Sequence, residues 1–240
     1  MKIFILMIVA FLAATFVKAQ DNTYTDYSIE KRLVKPFRSI KVSDGIDLYL
    51  SQGNEESVAV SASKDEYMDR LKTEVEDGVL KIYYERASLN NWTVSNNKRL
   101  KAYVSFKTLD KLTASTGSEV IVKGIIKEEV MSLYVSSGAN FKGTVEAGKL
   151  IVEADSGAKI EIDGTASVFT VSASSGAKIE AYSLEAGKAD VRSSSGAKIE
   201  VTAKDEMKLS SSSGGTIHYK GNPKITELNT RFGSVIHKQG

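Results

Sequence analysis

The sequence holds two histidines, His218 and His237, and each stands four residues after a glycine, Gly214 and Gly233. The same offset from five earlier glycines gives Ile121, Lys142, Glu161, Glu180 and Glu200. If these positions stack, a run of carboxylates and imidazoles lines one outward face. Carboxylate and imidazole together are competent ligands for zinc and similar ions, so Glu200, His218 and His237 are the residues that could supply a metal site. The competing reading is a solvated face. Carboxylates stacked ~4.8 Å apart repel by about 1 kcal/mol per pair in water, and Lys159, Lys178 and Lys198, two residues before the glutamates on the same face, offset that repulsion. The magnitudes favour the solvated face, and neither a metal nor a cofactor is expected.

Other groups capable of chemistry are scattered. Serines are abundant around residues 174–175, 193–195 and 210–213, but no histidine lies near the central ones, and a nucleophilic serine needs a base within hydrogen-bond reach. Ser213 approaches His218 only if its turn folds back. Glu153, Asp155 and Arg192 are the groups a polysaccharide-active site could use. The sole tryptophan, Trp92, follows Asn90 and Asn91 in a polar excursion over Glu85–Arg99. An aromatic among amides suits stacking on a sugar ring or packing against another subunit, which makes Trp92, Asn90 and Asn91 candidate binding residues.

All these positions depend on a repeat. Near-copies of Ser-Ser-Gly-Ala-Lys-Ile-Glu occur at residues 155–161, 174–180 and 194–200, with weaker copies on both sides. The anchor glycines are 117, 138, 157, 176, 196, 214 and 233, spaced 21, 19, 19, 20, 18 and 19 residues apart. Three residues after them stand Val120, Phe141, Ile160, Ile179, Ile199, Ile217 and Ile236, and five residues before them stand Leu112, Leu133, Val152, Val171, Val191, Leu209 and Leu228. Period-two alternation on both sides of a Ser-Gly turn is the strand pattern. Strands of three to five residues cannot stand alone, so the coils must stack into parallel ladders, each covering the apolar floor of its neighbour. The fold class read from the sequence is therefore all-β: a single-stranded parallel β-helix, right-handed by the preference of parallel crossovers, with about seven coils over residues 109–240. An antiparallel sandwich or barrel is the rival and leaves the recurrence of identical side chains unexplained.

Residues 20–108 lack the regular turn but still read as strands, at Phe37–Val42, Ile46–Leu50, Val58–Ala62, Val79–Tyr84 and Ala102–Phe106. Lys64–Lys72 has the spacing of a short helix, and Glu76-Asp77-Gly78 reads as a hairpin turn. These form irregular N-terminal coils capping the solenoid, since a bare end coil exposes core and strand edge. At the other end Tyr219 and Phe232 are available to cover the last coil.

Val42-Ser43-Asp44-Gly45-Ile46-Asp47-Leu48-Tyr49-Leu50-Ser51-Gln52-Gly53, followed by Asp77-Gly78-Val79-Leu80-Lys81-Ile82 and the Ser-Gly-Ala repeats, resembles the bacterial family called putative autotransporter adhesin, head GIN domain, over roughly residues 35–238. The resemblance implies an all-β parallel helix and an adhesion-type role. The sequence departs from a true autotransporter in having no C-terminal run of long alternating strands for a membrane barrel.

Lys2, the apolar run Ile3–Val17 and the small-residue site at Val17-Lys18-Ala19 read as a signal peptide over residues 1–19. Its removal leaves thirty basic and thirty acidic residues. That balance argues against a nucleic-acid partner, and no other segment is expected to span a membrane. The chain has no cysteine, so disulfide and thiolate chemistry are excluded. The function read from the sequence is an exported binding or adhesion-type β-helix, periplasmic or at the cell surface. It presents a flat charged and polar surface to a glycan or cell-surface protein, and it is also able to self-associate. A polysaccharide-active lyase or hydrolase is the alternative, and the choice of non-enzyme over enzyme is a preference rather than an exclusion.

Overall fold

A computed structural model describes residues 29–85 and 98–240. Residues 86–97 of the polar excursion, which hold Asn90, Asn91 and Trp92, and the proposed signal peptide lie outside the described residues. All described strands belong to one 16-stranded sheet wound into a parallel solenoid. In chain order they are β1 (Ile29–Arg32), β2 (Ser39–Val42), β3 (Asp47–Gln52), β4 (Ser57–Ser61), then the one-turn helix α1 (Asp65–Met68), β5 (Leu71–Glu76), β6 (Val79–Tyr84), β7 (Lys101–Phe106), β8 (Lys111–Ala114), β9 (Glu119–Val135), β10 (Asn140–Ala154), β11 (Lys159–Ala173), β12 (Lys178–Ser193), β13 (Lys198–Ser211), β14 (Thr216–Lys220), β15 (Lys224–Thr230) and β16 (Val235–Lys238).

The repeat columns are real stacks. Ile160 pairs with Phe141 below and Ile179 above, and Ile179 with Ile199, in parallel register. All three isoleucines are fully buried, as are Val152, Val171 and Val191 on the opposite wall. The apolar columns therefore make one continuous interior along the solenoid axis. The strands are longer than the three to five residues expected: β9 to β13 run 14 to 17 residues each. Between β10 and β11 the inter-coil pairing runs almost without a break around the second bend, whereas the other coil pairs shift register there.

The Ser-Gly turn interrupts every strand. Both central residues adopt positive φ, for example Ser156 at 53° and Gly157 at 73°, and the Ala158 N–H donates back to the Asp155 carbonyl at 3.2 Å. This is a type I′ turn. Holding a serine in the left-handed region is uncommon, but the turn peptide also joins the ladder: the Gly157 N–H donates to the Ser175 carbonyl of the next coil at 3.1 Å, and the same bond recurs from Gly117 to Gly214.

The N-terminal third is not stacked in sequence order. β2 and β3 form a regular coil around an Asp44–Gly45 turn, with φ of 63° and 71°, and pair with β8 and β9 on one side. On their other side lie β6 and β7, also parallel, which come later in the chain. The chain therefore lays down one coil, leaves it, builds the outer coil, and then passes back over the first to start the repeats. β5 closes the outer coil antiparallel to β6 through the Asp77–Gly78 hairpin, and β4 does the same against β7, with β1 at the edge. The expected helix is limited to Asp65–Met68, because Leu71 already belongs to β5; Tyr67, Met68 and Leu71 are buried against this end of the core.

The far end differs. β15 and β16 form the outermost coil, and Phe232, expected as a cover, is 81% exposed; Tyr219 packs partly against the core, as do Ile225 and Ile236. A left-handed φ of 54° at the turn carries the Phe232 side chain away from the interior. Among the described residues, no helix is long and apolar enough to cross a membrane.

Candidate functional site

The sheet face that follows the Ser-Gly turns carries the charged positions singled out above. Each outward strand residue two positions after a turn glycine stacks on its equivalent, giving Lys159, Lys178 and Lys198 in register. The next outward column runs Lys142, Glu161, Glu180, Glu200, His218 and His237, each paired with the next. The alternation of strand side chains keeps both columns in water while the intervening isoleucines fill the core.

The two columns neutralise one another. Lys142 and Lys159 reach Glu161 at 2.7 and 2.9 Å, Lys159 also lies 3.4 Å from Glu180, Lys178 pairs with Glu180, and Lys198 holds Glu200 at 2.6 Å. The hydrogen bonds from Lys142 and Lys159 hold the Glu161 carboxyl down to about 2. Exposed pairs of this kind contribute little stability individually. Their effect is to fix a rigid, charge-balanced surface with a regular spacing of one coil.

His218 and His237 are brought together, their rings edge-to-face with centroids 6.1 Å apart. Glu200 is the next residue in that column but is engaged by Lys198. Burial, then Lys198 and His237, lower the His218 pKa against the opposing pull of Glu200. His218 Nδ1 also lies 3.4 Å from the Gln239 amide nitrogen. Among the described residues, no three or more His, Asp or Glu side chains converge as a metal would require.

The same face extends further than the glycine spacing indicated. Tyr49 and Tyr103 continue the glutamate column beyond Ile121, with rings stacked at 5.2 Å and 14° apart. Lys123 Nζ lies 5.6 Å from the Tyr49 ring centre. The signal for Tyr49 is legible in hindsight, since it stands four residues after Gly45, the same offset as Glu161 from Gly157. Tyr103 stands four residues after Arg99, which adopts φ 40° without being glycine, and so gives no such signal.

The face before the turns is dominated by hydroxyls. A solvent-open hollow of about 250 Å³ is lined by Arg192 and serines including Ser172, Ser174, Ser194, Ser210 and Ser212, with no carboxylate or histidine in its wall. Arg192 is tied to Asp190 at 2.7 Å. Asp155 accepts hydrogen bonds from Ser174 Oγ at 2.8 Å and the Ser156 N–H at 2.7 Å, and hydroxyl contacts led by Ser175 lower its pKa. Glu153 and Arg192 share a column but are separated by Ser172, so they stand two coils apart. A second open hollow of about 430 Å³ lies on the third side, by Lys127, Glu128, Glu129 and Glu146. There Glu128 accepts the Leu109 N–H at 2.6 Å, and burial raises its pKa.

The family described as putative auto-transporter adhesin, head GIN domain, matches residues 36–223. No curated protein matches the sequence. Among solved structures, a putative adhesin from Bacteroides fragilis is 19% identical with a TM-score of 0.79, over 88% of this chain and 96% of that one. A putative adhesin from Parabacteroides merdae is 16% identical with a TM-score of 0.71, over 89% and 96%. A putative lipid binding protein from Parabacteroides distasonis is 21% identical with a TM-score of 0.67, also over 89% and 96%. At these identities the likeness is one of fold.

Proposed function

The chain belongs to the putative auto-transporter adhesin, head GIN domain family, and from that membership we propose an exported, non-catalytic adhesion domain that binds a glycan through the face bearing the Lys and Glu columns. Residues 1–19 are its signal peptide, residues 20–108 its cap and 109–240 its repeat body. It acts in the periplasm or at the cell surface. The observation that carries the reading is the in-register pairing of Lys159, Lys178 and Lys198 beside Glu161, Glu180 and Glu200. That geometry presents the same polar pair repeatedly on a flat surface, matching a polymer that repeats its own hydroxyl and charged groups. The Tyr49–Tyr103 stack adds an aromatic surface at one end of the strip, and aromatic rings with a polar tip suit such contacts. Trp92, Asn90 and Asn91 are a further binding element in this proposal.

The test is a glycan array probed with the mature protein and with a Lys159→Gln, Lys178→Gln, Lys198→Gln triple variant. Glycan binding that the triple variant loses, with unchanged circular dichroism, supports the reading. A blank array alongside retention by an immobilised surface protein transfers it to a protein partner. Cleavage of acidic polysaccharides, lost in an Asp155→Asn or Arg192→Gln variant, favours the polysaccharide-active alternative.

A further inference from the structure

The two ends of the solenoid are built differently. At the N-terminal end, antiparallel strands and α1 close the core. At the other end the interior columns continue onto a bare coil. Leu228 stacks on Leu209 and Ile236 on Ile217, yet Leu228 is 59% exposed where Leu209 is buried. Val235 is 50% exposed and Phe232 81%. Below this coil, the Arg231, Val235 and Gln239 N–H groups donate back to Ser211, Gly215 and Tyr219. In a parallel ladder alternate residues face alternate neighbours, so the peptide groups of Leu228, Ile236 and Lys238 point outward, with no strand to meet among the described residues.

We propose that this coil docks tail-to-tail onto the same coil of a second copy, about a two-fold axis passing through Phe232. A two-fold operation turns the strands antiparallel and, centred there, sets Leu228 opposite Ile236 of the second copy. This pair and its symmetry mate bring outward-facing peptide groups together, as the hydrogen-bonded pairs of an antiparallel ladder require. Both apolar members of the pair belong to interior columns, so the core runs unbroken from one copy into the next. On the outer surface Glu227 then stands opposite His237 of the second copy, where a ring N–H can donate to the carboxylate, and Phe232 meets its own equivalent. A register shifted by one residue sets inward-facing Ile236 against outward-facing Asn229, so the pleat rejects it. The interface is isologous and closes at two copies, because the other end of each copy is capped. It is independent of what the lateral faces bind.

Sedimentation velocity of the mature chain tests this, together with the variants Phe232→Asp and Leu228→Lys and a Phe232→Cys variant in a chain that has no other cysteine. The expected result is a dimer for the natural sequence and a monomer of unchanged circular dichroism for either charged variant. Phe232→Cys is expected to give a covalent dimer under mild oxidation, and Ser210→Cys is not. A natural chain still monomeric at about 100 µM, where a dimer with a Kd of about 1 µM is mostly formed, overturns the proposal. So does a dimer that survives both charged substitutions, and so does a dimer whose Phe232→Cys variant fails to cross-link.

Discussion

Ile179 lies one coil above Ile160 in direct register, with both side chains wholly excluded from water. Its neighbour Lys178 points the other way and is paired with Glu180 on a solvated face. The two adjacent positions therefore separate burial from surface charge within one strand. Ile179→Ala is expected to cost about 2–5 kcal/mol through lost transfer energy and a cavity that the flanking coils cannot close. Lys178→Ala should stay within about 0.5 kcal/mol. Urea unfolding followed by circular dichroism measures both, and equal losses would contradict the stacked interior.

Gly157 and Gly164 belong to the same coil and both have positive φ, but they do different work. A side chain at Gly157 meets nothing within 4 Å, so Gly157→Ala carries only the conformational penalty of the left-handed region, about 1–2 kcal/mol. At Gly164, with φ 119°, a Cβ would sit 2.0 Å from the Val145 carbonyl oxygen, its own ladder partner in the coil below. Backbone cannot move aside there without breaking the ladder. Gly164→Ala is expected to lose about 3 kcal/mol or more, adding overpacking to the conformational penalty, and the difference between the two midpoints in a denaturant titration reads it directly.

The same pair of glycines marks what the sequence could and could not convey. Turn glycines such as Gly157 recur at nearly constant spacing with apolar residues at fixed offsets, so the repeats, the buried columns and the Lys and Glu faces are all legible. Gly164 has no equivalent in the next coil, where a Ser-Leu passage replaces it. Glycine stands seven residues after the turn glycine at Gly124, Gly164 and Gly221, all with positive φ, but Val145, Ser183 and Ala203 take that offset in three other coils, so the second bend leaves only an interrupted motif. The N-terminal third hides more. That β6 and β7 lie outside β2 and β3 is decided by pairing between strands 40 and 54 residues apart (Ser39 with Val79, Asp47 with Lys101), and no local pattern records such an order. Within the candidate face, the glutamates and histidines were visible from their offsets, whereas Tyr103 was concealed because Arg99 takes the place of a glycine.

Acid should loosen the charged face in a defined window. The Glu161 pKa is lowered from its ordinary 4.5 to about 2 by Lys142 and Lys159. A depressed carboxyl binds its proton less readily when folded, so its contribution is complete above about pH 4.5 and is lost as the pH falls towards 2. Glu161→Gln should therefore lower stability most above about pH 4.5, by an amount kept modest because a partly exposed pair is screened, and the deficit should vanish as the pH falls towards 2. Asp155 also has a lowered pKa, but through hydroxyl and N–H hydrogen bonds rather than a lysine. Raising salt should accordingly shrink the Glu161 component and leave that of Asp155. Urea midpoints at pH 7, 4 and 2.5, at low and high salt, distinguish the two.

Ser193 and Ser211 pair in neighbouring coils and both point into the core, at a column that is alanine at positions 114, 154 and 173. Their hydroxyls differ. Ser193 Oγ donates to the Ala197 carbonyl at 2.9 Å across its own turn, whereas Ser211 Oγ is buried with no hydrogen-bond partner. A buried hydroxyl with a partner contributes about 1 kcal/mol net, and one without a partner costs its desolvation, about 1–3 kcal/mol. Ser193→Ala is therefore expected to destabilise by about 1 kcal/mol, because it also leaves the Ala197 carbonyl with one fewer donor. Ser211→Ala removes a penalty, adds no volume and reproduces the residue used elsewhere in the column, so it should raise the thermal midpoint. Opposite signs for two Ser→Ala changes one coil apart cannot come from alanine's propensity, which is the same in both. Scanning calorimetry of the two variants checks the signs, and a loss of stability in Ser211→Ala would show that its hydroxyl has a partner after all, such as an ordered water.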